Sequence, residues 1–96
     1  MGAETFETIG KGKTVQIAFN NAKEEAYYDY GHSGYTGTIA EKDRFIIIPL
    51  PEGREAGEYS DELISDGDPR IDDKWGPVGC IKIQDGEWLF FGWASS

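Results

Sequence analysis

Gly31-His32-Ser33-Gly34-Tyr35 sets the only histidine of the chain beside a serine in a glycine-rich run, the residue types of a nucleophile and its base. The spacing begins like the nucleophile elbow G-x-S-x-G, but Tyr35 stands where the last glycine is needed. An elbow also follows a strand and opens a helix, whereas this run follows a helical pattern and opens a strand-like one. Cys80, the single cysteine, could pair with His32 for thiol chemistry. Its place between Val78 and Ile81 reads instead as a strand, where a thiol packs as a small hydrophobe. Gly10-Lys11-Gly12-Lys13-Thr14 ends like a phosphate-binding loop, yet G-x-x-x-x-G-K-[ST] requires glycine where Glu7 stands. Asp66, Asp68 and Arg70 begin with the spacing of a calcium loop, but an arginine at the third ligand position breaks it. A carboxylate pair for glycoside hydrolysis needs a separation in space that spacing along the chain does not define. One histidine and one cysteine do not make a zinc set. No catalytic motif is complete, so the chain is expected to be a binding protein without cofactor or metal rather than an enzyme.

Binding chemistry has two candidate places. Glycines 31, 34 and 37 fall three apart and would shape a turn whose backbone N–H groups face a ligand. His32, Ser33, Tyr35 and Thr36 would add side-chain hydrogen bonds, which suits a small molecule such as a nucleotide signal. The second place is the acidic stretch. Residues 52–73 hold nine acids and two bases, net −7, while residues 1–51 are net −2 and residues 74–96 are neutral. Glu55, Glu58, Asp61, Glu62, Asp66, Asp68, Asp72 and Asp73 form a surface that would steer a basic partner and imitate a phosphate backbone. Tyr27, Tyr28 and Trp75 are candidate aromatic anchors of such an interface.

The net charge of −9 argues against direct contact with nucleic acid, which calls for a basic face, and against anionic membranes. No apolar run approaches the ~20 residues of a membrane span. Met1-Gly2-Ala3-Glu4 lacks the basic start and apolar core of a signal peptide. A single cysteine fits a reducing compartment. A cytoplasmic location is therefore expected, and homo-oligomerisation stays open.

Ninety-six residues make one domain with a modest core. Ala3–Gly10 reads as a weakly alternating strand. Thr14 is placed to cap a helix running to Tyr30, because Val15, Ala18, Phe19, Ala22, Ala26 and Tyr30 follow the i, i+3, i+4, i+7 rule. Gly31 would end it. Residues 36–40 and 45–50 read as a hairpin about Glu41-Lys42-Asp43-Arg44. The wholly apolar Phe45-Ile46-Ile47-Ile48 suggests a strand covered on both faces. Residues 52–74 form an irregular acidic excursion with a short helix from Glu58 or Ser60 to Ile64, anchored by Tyr59, Leu63 and Ile64. Residues 78–84 and 87–94 flank Asp85-Gly86, a strong hairpin signal. The last strand, Trp88-Leu89-Phe90-Phe91, is apolar on both sides, hence either central or a cover for a binding surface. The expected fold is α+β: an antiparallel sheet of about five strands with one main helix packed on it, in the order β-α-β-β-short α-β-β.

Two stretches add a resemblance. Tyr30 to Lys42, YGHSGYTGTIAEK, resembles a segment of small bacteriophage proteins, and Trp88 to Ala94, WLFFGWA, is similar to their ends. Together they cover about a fifth of the chain. Small acidic phage proteins of this size include inhibitors of bacterial defence, among them anti-CRISPR proteins. The resemblance implies a phage-type anti-defence inhibitor in the bacterial host cytoplasm, with no residue role attached. With the charge pattern it leads to one expectation: the acidic surface occupies a basic, nucleic-acid-binding host protein by nucleic-acid mimicry. The alternative is nucleotide-signal binding by the Gly31–Gly37 loop.

Overall fold

A computed structural model describes residues 3–30 and 38–95. Its elements are β1 (Ala3–Lys11), α1 (Val15–Tyr30), a 3-10 turn (Ile39–Glu41), β2 (Phe45–Ile47), α2 (Ala56–Asp66), β3 (Val78–Gln84) and β4 (Glu87–Ser95). The strands form one four-stranded sheet in the order β1-β4-β3-β2. β4 pairs antiparallel with β1 and with β3, while β2 runs parallel to β3. The α+β class stands, with two helices packed on a mixed sheet.

Local signals explain α1. Thr14 Oγ1 accepts the Ile17 N–H at 3.2 Å, an N-cap as its position predicts. Ala18, Ala22 and Ala26 recur every four residues and are buried together with Phe19. Small residues on this stripe bring the helix close to the sheet, and Phe19 fills the space beside them. Its ring meets Phe45 at 5.2 Å and Phe90 at 5.5 Å. Phe6, Val78, Cys80 and Trp88 complete this layer from the strands, with Ile39 and Ala40 from the 3-10 turn.

The opposite face of the sheet carries a second layer. Ile81, Leu89 and Phe91 pack there against Ala56 and Leu63 of α2, and against Ile48 and Ile71. β4 thus buries alternate side chains on both sides, and its apolar run marks the centre of the sheet. Gly79 lies opposite Phe91 in the register. A Cβ on Gly79 would stand 2.5 Å from the Phe91 ring, so the ring occupies the space that a side chain would need.

Three expectations need correction. The sheet is mixed rather than antiparallel, because α2 carries the chain back to the same end before β3 begins. Parallel neighbours require such a crossover, usually a helix. The expected strand over 36–40 does not form in its described part: Thr38 Oγ1 accepts the Ala40 N–H and starts a 3-10 turn, and among the described residues β2 pairs with β3 instead of forming a hairpin. Residues 31–37, which include the Gly31 cap, lie outside the described residues. β2 is also a short edge strand rather than a covered central one. Ile48 is buried and extends the pairing through its N–H to the Cys80 carbonyl at 2.8 Å, but Ile47 is 58% exposed.

Two substitutions check the layers. Phe19→Ala should cost about 3–5 kcal/mol, the usual penalty for emptying a buried aromatic site. Gly79→Ala should cost about 1–3 kcal/mol by overpacking against Phe91. Urea unfolding measures both, and a Gly79→Ala protein as stable as wild type would remove the Phe91 ring from this position.

Candidate protein-interaction surface

α2 is built by its ends. The Glu55 carboxylate accepts the Gly57 N–H and caps the first turn. At the other end Gly67 takes a left-handed φ of 68°, and the N–H groups of Gly67 and Asp68 bond the Ile64 and Leu63 carbonyls. This is a Schellman closure, which satisfies carbonyls that a helix end otherwise orphans. The helix is longer than the expected Glu58–Ile64 because Glu55 serves as a cap, a role that Ser, Thr, Asp and Asn fill more often.

Between these ends Ala56, Ser60 and Leu63 face the sheet, while Glu58, Asp61, Glu62 and Asp66 are exposed. Four carboxylates therefore share one outer face of a two-sided helix. Glu62 is tied to Arg54, an exposed pair that adds little stability. Arg54 also lies over the Tyr59 ring, 5.2 Å from its centre.

The remaining candidates serve the loop after α2. Asp68 takes both Nε and Nη2 of Arg70 at 2.9 Å and also accepts the Arg70 backbone N–H. These hydrogen bonds hold its carboxyl below the usual range. Asp72 sits beside Gly67, and Asp73 accepts the Trp75 N–H at 2.9 Å and so shapes a turn. The three aromatic candidates do different things. Tyr27 is half-buried against the α1 layer, Tyr28 is 91% exposed on α1, and Trp75 is 56% exposed in the loop with Lys74 over its ring. His32, Ser33, Tyr35 and Thr36 lie outside the described residues.

Two residues that spacing did not single out matter here. Glu7, on the β1 face towards α2, accepts a hydrogen bond from the Ser60 hydroxyl. Burial raises its carboxyl, and neighbouring Asp61 and Glu55 push the same way against the Ser60 bond, which lowers it. The signal for it was an acid between Thr5 and Ile9 on one strand face. Lys42 is 3% exposed, and its Nζ donates to the carbonyls of Lys74 at 2.8 Å and Gly76 at 2.9 Å. It ties the chain before β2 to the loop before β3. Burial lowers its ammonium, opposed by Glu41 and Asp73. Nothing in the sequence marks Lys42, which reads as the tip of a hairpin.

Burial pushes the Cys80 thiol up to about 12, so it stays protonated near neutral pH and is no thiolate nucleophile. Among the described residues, no three His, Cys, Asp or Glu side chains gather to hold a metal ion. Nor is any described helix long and apolar enough to cross a membrane. Comparison with family models, curated proteins and solved structures finds no match, so the surface is read from its own geometry and charge.

Lys42→Ala should cost about 2–4 kcal/mol, since it strips two carbonyls of a charged donor. Asp43→Asn, on an exposed ion pair with Arg44, should stay within about 0.5 kcal/mol. Glu7 gives a pH test. A carboxyl raised in the folded state weighs against folding once it ionises, so its penalty grows as pH rises through the folded value and vanishes below the unfolded one. Glu7→Gln, which can still accept from Ser60, should therefore melt above wild type at about pH 7. The gap should close at roughly pH 4 and below, near the ordinary glutamate value. A gap independent of pH would separate Glu7 from Asp61 and Glu55.

Proposed function

We propose that the chain is a small acidic inhibitor of the phage type, which binds the basic surface of a bacterial host protein that handles nucleic acid. The observation that supports this is the outer face of α2. Helical rise is about 1.5 Å per residue, so the eight steps from Glu58 to Asp66 span about 12 Å. Four carboxylates over that length are separated by rises of about 4.5, 1.5 and 6 Å, a mean charge density of the order of the roughly 3.4 Å of axis per phosphate in one DNA strand. Folding fixes this spacing in advance, because both ends of α2 are capped and its inner face is buried. A flexible acidic tail would lose entropy on binding that this helix has already lost in folding. The chain as a whole, at net −9, adds long-range attraction for a basic partner.

The test is capture from bacterial lysate on the immobilised protein, with elution by duplex DNA and, separately, by salt. Proteins retained should be nucleic-acid binders that DNA displaces, and retention should fall steeply as salt rises. A variant with Glu58→Gln, Asp61→Asn, Glu62→Gln and Asp66→Asn should lose most of this retention, mainly through slower association. It keeps Glu55, and with it the helix cap. Wild-type retention by this variant, with unchanged salt dependence, would end the mimicry reading.

A further inference from the structure

β1 is an edge strand with one neighbour, β4, among the described residues. Its backbone polarity can be followed from its end. The Gly12 N–H turns inward to the Gly86 carbonyl at 3.1 Å, while the Lys11 carbonyl turns away from β4 and accepts Asn21 Nδ2 at 2.8 Å. A strand's N–H and C=O groups alternate sides residue by residue. The groups of Thr5, Glu7 and Ile9 therefore point outward with those of Lys11. Asn21 covers the last of them, and among the described residues no backbone pairs with the outward groups of Thr5, Glu7 and Ile9, which present an open ladder.

That ladder borders a groove of about 730 Å³ between β1 and the outer side of α1. Ile9, 49% exposed, lines it at the strand edge and also lines the surface beside α2, while the exposed Tyr28 lines it from α1. Glu24 and Glu25 line it from α1, and Glu87 from β4. Across the strand, Glu7 lies in the field of Asp61 and Glu55 on the α2 side. The open edge thus runs between two acidic flanks, one on each face of the sheet. An added strand points successive side chains to opposite faces, so a cationic segment would reach carboxylates on both. A second copy of this chain is a poorer occupant, because it brings another net −9 to the same edge.

We propose that the open edge of β1 receives an extended, lysine- or arginine-rich segment of the partner as a fifth strand, held by main-chain hydrogen bonds and by the acidic flanks. This rests on the reading above that the partner is basic, and it names the mode of contact. Strand addition takes affinity from the main chain and selectivity from alternate side chains. Here Tyr28 and Ile9 would receive the aliphatic stems of the basic residues.

The test uses the full chain and two synthetic peptides of about nine residues, the length of β1. One repeats Lys-Lys-Thr-Thr, which sets lysine on both faces of an added strand; the other has the same side chains but every amide N-methylated, so it keeps the charge and cannot pair as a strand. The first should bind at least about tenfold tighter, a difference of about 1.4 kcal/mol. On binding, the amides of Thr5, Glu7 and Ile9 should gain protection from hydrogen exchange, with little change at Phe6 and Thr8, which face β4. Ile9→Pro removes one outward N–H at an edge position that tolerates proline. It should weaken the first peptide about tenfold, while Ile9→Val binds as wild type. Glu24→Gln with Glu25→Gln tests the α1 flank without touching the strand, and should weaken the first peptide at least about threefold.

Equal affinity for both peptides would overturn strand addition whatever the variants do. If that equal binding then fails in the α2 variant, the acidic-face reading survives alone. No binding of either peptide at low salt would sink both readings. A dimer in solution without peptide, with the same amides already protected, would assign the edge to a second copy and overturn the proposal.

Discussion

The structure depends on covering both faces of β4. Trp88 and Phe90 point to one side of the strand, Leu89 and Phe91 to the other, and all four are buried. A strand of this composition is stable only inside a three-layer arrangement, since either naked face would expose aromatic area worth several kcal/mol. α1 covers one face through its alanine stripe and Phe19. α2 covers the other through Ala56 and Leu63. Neither helix is strongly apolar, and each is held by the sheet more than by its own propensity. The acidity of α2 follows from the same arrangement. One helix face satisfies β4, which leaves the outer face free to carry four carboxylates.

Lys42 shows how the less regular half of the chain is held. The segments before β2 and before β3 have few ladder bonds of their own, and a buried ammonium shared by two carbonyls joins them. A buried cation is costly unless its donors are used, and here at least two of the three are. Ile71, fully buried, pins the loop after α2 to the second layer. Asp68 with Arg70, and Asp73 with the Trp75 N–H, shape it from within. Three of the nine acids between residues 52 and 73 therefore have a structural role. Glu55, Asp68 and Asp73 bond the local backbone, whereas Glu58 and Asp66 are exposed on α2 and Asp61, also exposed, stands beside Glu7.

What could be read from the residues followed the range of the interaction. α1, β1, the β3–β4 hairpin and the centrality of β4 were legible, because period, capping and the Asp85-Gly86 turn are local signals. The acidic stretch was legible as a charged surface, though not the division of its acids between turns and solvent. β2 was misjudged because four apolar residues in a row do not tell an edge strand with an exposed Ile47 from a central one. Its parallel pairing depends on a crossover of thirty residues, beyond any local pattern. Glu7 and Lys42 escaped notice for the same reason, since their partners lie 53 and over 30 positions away.

The pairing of β1 with β4 joins Ala3 to Ser95, almost the full length of the chain. During synthesis β1 is made well before β4, its one sheet neighbour among the described residues. α1 can form early, but the aromatic layer it covers is not yet present. Such a topology favours a late collapse, once β4 has been made, over stepwise folding, because the most distant contacts close the largest loops. Until β4 has been made, neither edge of β1 is paired by it. Glu4 and Glu7 on β1, with Lys11 at its end, are the kind of charged residues that keep a nascent edge from pairing with the wrong chain.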